Sequence, residues 1–294
     1  MTNPTPHYNK TRLAPTPSGF LHLGNVLSFC ITAALAQKHG AKILLRIDDL
    51  DRTRVNNQYV QDIFDALNFL EIPWDEGPRD VKEFEESYSQ LHRMHLYRDA
   101  LKQFADDKLV FACECSRLQL NSKEYSCECL SKQIPLNTEN TSWRLITKDK
   151  AELAIKNYNG QTIQAALPAD MHNFVIKRKD GLPAYQLTSV IDDLYYGVDL
   201  IVRGEDLWSS TLAQHQLATV LREDDFNEIT FYHHPLLTET SGKKLSKSAG
   251  STSVHYLRQN RKKASDIFTH IAAMLGINET VNNWQQLAGI IEGS

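Results

Sequence analysis

Apolar positions between Leu23 and His39 recur in a helical rhythm and stop at Gly40, a residue suited to ending helices. Residues 42–47, K-I-L-L-R-I, form a short apolar run that reads as a buried strand. Upstream, residues 9–14 read as a first strand, stopped by Pro15 and Pro17, with Thr16, Ser18 and Gly19 forming a turn. Strand, glycine-containing turn, helix and strand in this order make a βαβ unit, which predicts a parallel sheet with a right-handed crossover. Residues 57–70 fit a second crossover helix, with Val60, Ile63, Phe64, Leu67 and Leu70 at helical spacing, and 84–105 a further amphipathic helix. Periodicity weakens over about 106–172, which reads as an insertion. Apolar runs return at 173–177 and 199–203, followed by a helix over 209–222 with Leu212, Leu217, Val220 and Leu221 inward, and a strand at 229–233. The Ser-, Thr-, Gly- and Lys-rich stretch 235–252 reads as a loop, and short helices are expected near 264–275 and 282–291.

The formal net charge of −4 over 294 residues gives no global attraction for polyanions. An RNA partner would need a local basic face; Arg258, Arg261, Lys262 and Lys263 form one such cluster, and a solvated helix end is the plain alternative. No run of about 18 apolar residues occurs, and the N-terminus M-T-N-P-T-P-H-Y-N-K has no apolar core of a secretory signal. A cytoplasmic protein with no membrane and no DNA partner is expected. Of five cysteines, Cys113, Cys115, Cys127 and Cys129 cluster as C-x-C and C-x-C, which reads as metal binding in a reducing compartment rather than a disulfide framework.

Two segments carry candidate nucleotide chemistry. The first is R-L-A-P-T-P-S-G-F-L-H-L-G-N at 12–25. It opens a helix, whose N-terminal N–H groups attract phosphate. His22 can donate to phosphate oxygens, Gly24 permits close backbone approach, and Asn25 completes the candidate ATP site. The plain reading is that Gly19 and Gly24 serve only a turn and tight packing. The second segment is K-K-L-S-K-S at 243–248, where Lys244, Ser246 and Lys247 could close over a triphosphate, or stand as a solvated basic loop. A dinucleotide-dependent oxidoreductase is disfavoured, because no G-x-G-x-x-G follows the first strand.

Taken together and in this order, the two segments resemble the two signature motifs of class I aminoacyl-tRNA synthetases. The stretches L-L-R-I-D-D-L-D-R-T-R at 44–54, D-G-L-P-A-Y-Q-L-T-S-V-I-D-D at 180–193 and I-V-R-G-E-D-L at 201–207 are similar to the glutamyl branch. The resemblance implies an α/β, Rossmann-like catalytic domain over residues 1–235 with a zinc-bearing insertion at about 106–172. Residues 236–294 would then supply the lysine loop and a short helical end. It implies activation of L-glutamate by ATP with Mg²⁺, without need of tRNA, with His22, Lys244 and Lys247 as catalytic residues. A dicarboxylate suits arginine recognition. The implied amino-acid pocket comprises Arg12, Ala14, Thr16, Asp48, Tyr185 and Arg203. The family usually has Glu at the position of Asp48, so a tighter pocket, a bridging water or help from Asp49 are all open, as is a plain turn-capping role for both aspartates. Arg203 could instead pair with Glu205 or Asp206.

The cysteine cluster suits structural zinc in a tetrahedral thiolate site, with plain reduced cysteines as the alternative. The short glutamyl-Q type of this branch uses C-x-C, then a tyrosine, then a cysteine. That pattern lands on Cys113, Cys115, Tyr125 and Cys129, with Cys127 competing for the place of Tyr125 because thiolate is the softer ligand. The chain continues only from Ser248 to Ser294, so no anticodon-binding domain is expected after the lysine loop. This favours the short type, whose acceptor is the queuosine base of tRNA(Asp). The alternatives are a truncated glutamyl-tRNA synthetase charging tRNA(Glu), or a non-catalytic paralogue acting as a regulator.

Overall fold

A computed structural model describes residues 7–120, 127–147, 152–237 and 253–293. In chain order the principal elements are β1 (Lys10–Leu13), α1 (Leu23–His39), β2 (Lys42–Leu45), α2 (Asn57–Phe69), α3 (Met94–Asp106), β3 (Val110–Cys113) and β4 (Ser142–Leu145). There follow β5 (Glu152–Asn157), β6 (Thr162–Ala166), β7 (Val175–Lys177), α4 (Tyr185–Tyr195), β8 (Leu200–Gly204), α5 (Trp208–Leu221) and β9 (Thr230–His234). The last three helices are α6 (Val254–Gln259), α7 (Ala264–Met274) and α8 (Trp284–Gly293). The chain forms two compact units: Met1–His92 with Val198–Asp206 and Phe231–Ser294, and Arg93–Gly197 with Leu207–Thr230. Among the described residues no helix is long and apolar enough to cross a membrane.

The first unit contains the parallel arrangement expected from the βαβ pattern. β1 pairs in parallel with β2, from Lys10↔Lys42 to Leu13↔Leu45, and with β8 through Thr11↔Leu200. β9 lies beside β8. α1 buries Leu23, Val26, Leu27, Cys30, Ile31 and Leu35, and packs against β1 and β8 as well as α7 and α8. Being covered from several directions, it is apolar round most of its circumference. Gly40 ends it in the left-handed conformation, at φ 69°. The β1–β2 pairing continues past the strands: Arg46 N donates to Leu13 O at 2.8 Å and Asp48 N to Pro15 O at 3.0 Å. This continuation sets Asp48 beside the turn that leads into α1.

The helix expected over 84–105 begins only at Met94; Phe84–Tyr88 is a π turn and Gln90–Arg93 a 3₁₀ turn. The break has a local cause. Asp49 Oδ2 accepts from Ser89 Oγ at 2.6 Å and Oδ1 from Gln90 N at 2.8 Å, which diverts both residues from an α-helical ladder.

The second unit contains strands that the pattern over 106–172 did not reveal. β3 and β4 join β7, which lies in the apolar run at 173–177, in an antiparallel sheet of order β3-β4-β7, and β5 and β6 form an antiparallel hairpin from Glu152↔Ala166 to Lys156↔Thr162. Only Leu153 and Ile155 of β5 are buried, and no residue of β6 is. The alternation is short, confined to Leu153 and Ile155 of β5 and the half-buried Ile163 and Ala165 of β6, so few apolar residues carry the signal. Asn157–Gly160 closes the hairpin, with Gly160 at φ 82°.

The second unit also holds a buried ion pair. Asp192 on α4 is fully buried and accepts from Arg93 Nε at 2.9 Å, Arg93 Nη2 at 3.1 Å and Tyr97 Oη at 2.6 Å. Burial works against the Arg93 charge, but the hydrogen bonds and charge of Asp192 outweigh it and hold the guanidinium protonated.

Candidate active site and metal centre

His22 is the N-cap of α1. Its Nδ1 accepts from Gly24 N at 3.1 Å, and its own N–H donates to Asn25 Oδ1 at 3.1 Å, a reciprocal capping arrangement. In the neutral ring one nitrogen accepts and the other carries hydrogen, so Nδ1 as acceptor leaves the proton on Nε2. That Nε2–H is a donor suited to a phosphate oxygen at a helix N-terminus. Gly24 has a second reason to lack a side chain: a Cβ there would stand 3.0 Å from His22 Cε1 and Nδ1. Asn25 uses its carbonyl oxygen within the cap.

Arg12 on β1 and Arg203 on β8 are both buried, on neighbouring strands. Arg12 Nη1 donates to Val202 O at 3.2 Å, and the Arg203 guanidinium lies over the Phe231 ring at 5.1 Å. Ala14 is half-buried and Thr16 exposed, both in the turn between β1 and α1.

Asp48 forms a two-point pair with Arg46, Nε to Oδ1 at 2.8 Å and Nη2 to Oδ2 at 3.1 Å. A carboxylate offers about four lone-pair directions, more than this two-point pair uses. Asp49 has a different use: its fully buried side chain also accepts from Arg52 Nη1 at 2.8 Å, and with Ser89 and Gln90 it anchors the chain after β2. Arg46 carries a signal in sequence that was open to reading. In extended chain, residues two apart point to one side, and R-I-D places Arg46 and Asp48 that way.

His234, at the end of β9, was not foreseen. Its Nδ1 stands 2.8 Å from Pro235 O and its Nε2 2.6 Å from Ser28 Oγ on α1. A carbonyl only accepts, so Nδ1 carries the hydrogen and Nε2 accepts from Ser28. Burial lowers the His234 pKa, against smaller opposing effects of the Pro235 carbonyl and of Asp206 and Glu205. Gly204 is another close approach: a Cβ would come within 2.6 Å of Asp206 Oδ1 and 3.0 Å of Leu236 Cδ2.

Arg12, Ala14, Thr16, His22, Gly24, Asn25, Asp48 and Arg203 all belong to the first unit. Tyr185, exposed at the first turn of α4, belongs to the second. Lys244, Ser246 and Lys247 lie outside the described residues.

In the second unit the sulfurs of Cys113, Cys115, Cys127 and Cys129 all lie within 4.8 Å of one another. Cys113–Cys127 is 3.7 Å, Cys115–Cys127 3.6 Å and Cys115–Cys129 3.4 Å. A tetrahedral zinc with sulfur at about 2.3 Å needs sulfur–sulfur edges of about 3.8 Å, so the four thiols can hold such an ion. Phe111, Ile134 and Ile146 pack round them, and Ser142 Oγ donates to Cys113 O at 3.2 Å. Burial, with added effects of the neighbouring thiols, pushes Cys113 up to about 12, and burial also raises Cys127. Such thiols stay protonated until a cation displaces the protons. Cys127 thus stands in the group, while Tyr125 lies outside the described residues.

Residues 9–291 match the pattern described as tRNA synthetases class I (E and Q), catalytic domain. A protein of Symbiobacterium thermophilum named glutamyl-Q tRNA(Asp) synthetase is 32% identical over 284 residues, covering 90% of this chain and 86% of the relative. Glutamate–tRNA ligase 2 of Syntrophus aciditrophicus is 30% identical over 283 residues, 90% of this chain but 57% of the relative. In fold the chain is similar to the glutamate-tRNA synthetase structure from Elizabethkingia anophelis, with a TM-score of 0.70 at 20% identity, over 96% of this chain and 65% of that one.

Proposed function

We propose, from the premise that this chain belongs to the class I tRNA synthetases of the E and Q type, that it is a ligase joining glutamate to an RNA acceptor with ATP. In the first step the glutamate α-carboxylate attacks the α-phosphorus of ATP in line. A carboxylate–phosphorus bond forms, the bond to pyrophosphate breaks, and glutamyl-adenylate results. In the second step an RNA hydroxyl attacks the acyl carbon and AMP leaves. Such chemistry depends on positioning and on stabilising developing charge.

The observation that carries the reading is the pair of buried arginines, Arg12 and Arg203, in the same unit as a helix N-terminus capped by His22. The guanidiniums would take the carboxylates of glutamate. Asp48, turned by Arg46, would accept from the ammonium, with Ala14 and Thr16 lining the turn. His22 Nε2, Gly24 and Asn25 would meet the ATP phosphates. Lys244, Ser246 and Lys247 would neutralise the departing pyrophosphate, and Mg²⁺ would supply charge compensation on the triphosphate.

The acceptor we infer is the queuosine base of tRNA(Asp), with activation proceeding before tRNA binds. The support is likeness to a relative named for that reaction, 32% identical over 90% of this chain. The deciding experiment incubates the protein with ATP, labelled glutamate and separated tRNAs. Label is expected on queuosine-containing tRNA(Asp) and not on the unmodified transcript. Label on the 3′ end of tRNA(Glu) would assign the ordinary charging reaction instead.

The ion expected at the four cysteines is zinc in a structural role, since the thiols fill all four corners. Purified protein should hold about one zinc per chain by metal analysis. Cys127→Ser should lose it and unfold at lower temperature, whereas Tyr125→Phe should keep it. The reverse pattern would make Tyr125 the fourth ligand.

A further inference from the structure

Ser28 stands one helical turn after Gly24 and Asn25, at i+4 and i+3, and so shares their face of α1. Over residues 23–28, Leu23, Val26 and Leu27 are buried, while Gly24, Asn25 and Ser28 are half-buried. The half-covered face of the helix tip is the one assigned above to the ATP phosphates. His234 reaches that face from the strand ends. It is the last residue of β9 and is buried. It also stands where β8 ends, since a Cβ on Gly204 would lie 3.7 Å from His234 Cε1. In parallel α/β sheets, ligands sit outside the carboxyl ends of the strands. Ser28, His234, Gly204 and the tip of α1 all belong to the first unit.

The Ser28 hydroxyl has one hydrogen to donate and two acceptors in reach. His234 Nε2 lies 2.6 Å from its Oγ, and Gly24 O lies 3.2 Å from it. The ring's hydrogen is on Nδ1, 2.8 Å from Pro235 O, so Nε2 is an acceptor. The shorter bond takes the Ser28 hydrogen. That choice matters to the helix, because a serine hydroxyl that bonds back to the carbonyl four residues earlier often bends it. Thr32, one turn further on, does bond back, Oγ1 to Ser28 O at 2.7 Å. His234 withholds Ser28 from the same bond and ties the first two turns of α1 to the end of β9. Burial lowers the His234 pKa, which favours the neutral ring that can accept.

We propose that His234 and Ser28 are positioning residues for ATP. Their hydrogen bond fixes the tip of α1 to the strand ends and spares the Gly24 carbonyl, so that His22 Nε2, Gly24 and Asn25 meet the triphosphate in one geometry. Neither residue is catalytic; both act through the placement of the helix tip. The inference rests on the function proposed above, which puts ATP at this tip. The effect should separate ATP from glutamate. Arg12 and Arg203 have their own contacts, with Val202 O and the Phe231 ring, and do not depend on the Ser28 hydroxyl.

The test is ATP–pyrophosphate exchange on the full chain, with active sites counted by the adenylate burst and both substrates varied. Ser28→Ala and His234→Phe are each expected to raise the KM for ATP by about 5- to 10-fold, the worth of one hydrogen bond. The KM for glutamate should stay within about twofold in both. His234→Gln, which can offer an acceptor oxygen near the Nε2 position, should recover most of the ATP affinity. Adding Ser28→Ala to His234→Phe should leave the KM for ATP no higher than in His234→Phe alone, because the hydroxyl that would bond back to Gly24 is gone; two independent losses would instead multiply to about 25- to 100-fold. A pair that only stabilises the fold would lower Tm and leave the KM for ATP within about twofold, and that result overturns the proposal, as does multiplication in the double variant. Should His234→Phe fail to fold, Ser28→Ala, a small change at a half-buried position, decides by the same KM split. A parent with no exchange activity overturns the proposed function together with the pair; an active parent with unaffected variants overturns the pair alone.

Discussion

Alanine in place of Lys247 is expected to lower the rate of ATP–pyrophosphate exchange by about 100- to 1,000-fold, while glutamate still binds. The reasoning is electrostatic. Pyrophosphate gains charge as the bond to the α-phosphorus breaks, and a preplaced ammonium stabilises that charge more than the ground-state triphosphate. Loss of one such group is worth about 3–4 kcal/mol of transition-state stabilisation. Glutamate binding should persist because Arg12 and Arg203 are carried by β1 and β8, apart from the lysine segment in the chain. Lys247→Arg should recover part of the rate, since the charge returns with different geometry. His22 is a less clean probe of the same step, because its Nδ1 also caps α1 and replacing it removes helix stability along with the phosphate donor. Exchange kinetics paired with equilibrium dialysis of labelled glutamate checks the prediction. An unchanged exchange rate would take Lys247 out of the mechanism.

The second large effect is on stability. Asp192→Ala should destabilise the protein by about 3–5 kcal/mol, because it leaves the Arg93 guanidinium buried without its carboxylate. Tyr97 would lose its acceptor in the same step. The melting temperature should fall by about 5–15 °C, and Asp192→Asn, which still accepts from Tyr97, should fall less. Removing both charges together, as Arg93→Met with Asp192→Leu, should cost much less than the two single changes summed, because no charge is stranded. Thermal melts of Asp192→Ala, Asp192→Asn, the double variant and its two single changes test this ordering. A cost below about 1 kcal/mol for Asp192→Ala would mean that water reaches the Arg93 head group and the pair is not sealed.

Legibility in the sequence followed how each element is buried. α1 and α2 could be read because long apolar periodicity records packing on several neighbours, and their caps, His22 with Asn25 and Asn56, lie at their N-terminal ends. β5 and β6 could not, because a hairpin with two buried side chains alternates over too few apolar residues to stand out. The false helix start near 84 arose because residues 84–93 have amphipathic spacing, while Asp49, some forty residues earlier, decides where that ladder breaks. His234 gave no local hint either. Its partner Ser28 is 206 positions away, and no short window contains both.

What the sequence determined by itself was the inventory of chemistry. Motif order, arginines suited to a dicarboxylate, a helix tip, lysines and clustered thiols are properties of residue type and short spacing, which the chain carries before it folds. The tertiary structure decided how those groups are engaged. It assigned Asp48 to Arg46 and Asp49 to the Ser89–Gln90 turn, and brought the Cys127 sulfur within the thiol group. It also anchored Ser253 and His255 beside His22. These outcomes depend on hydrogen bonds and stacking between groups brought together by packing, and such contacts have a range of a few ångströms whatever their separation along the chain.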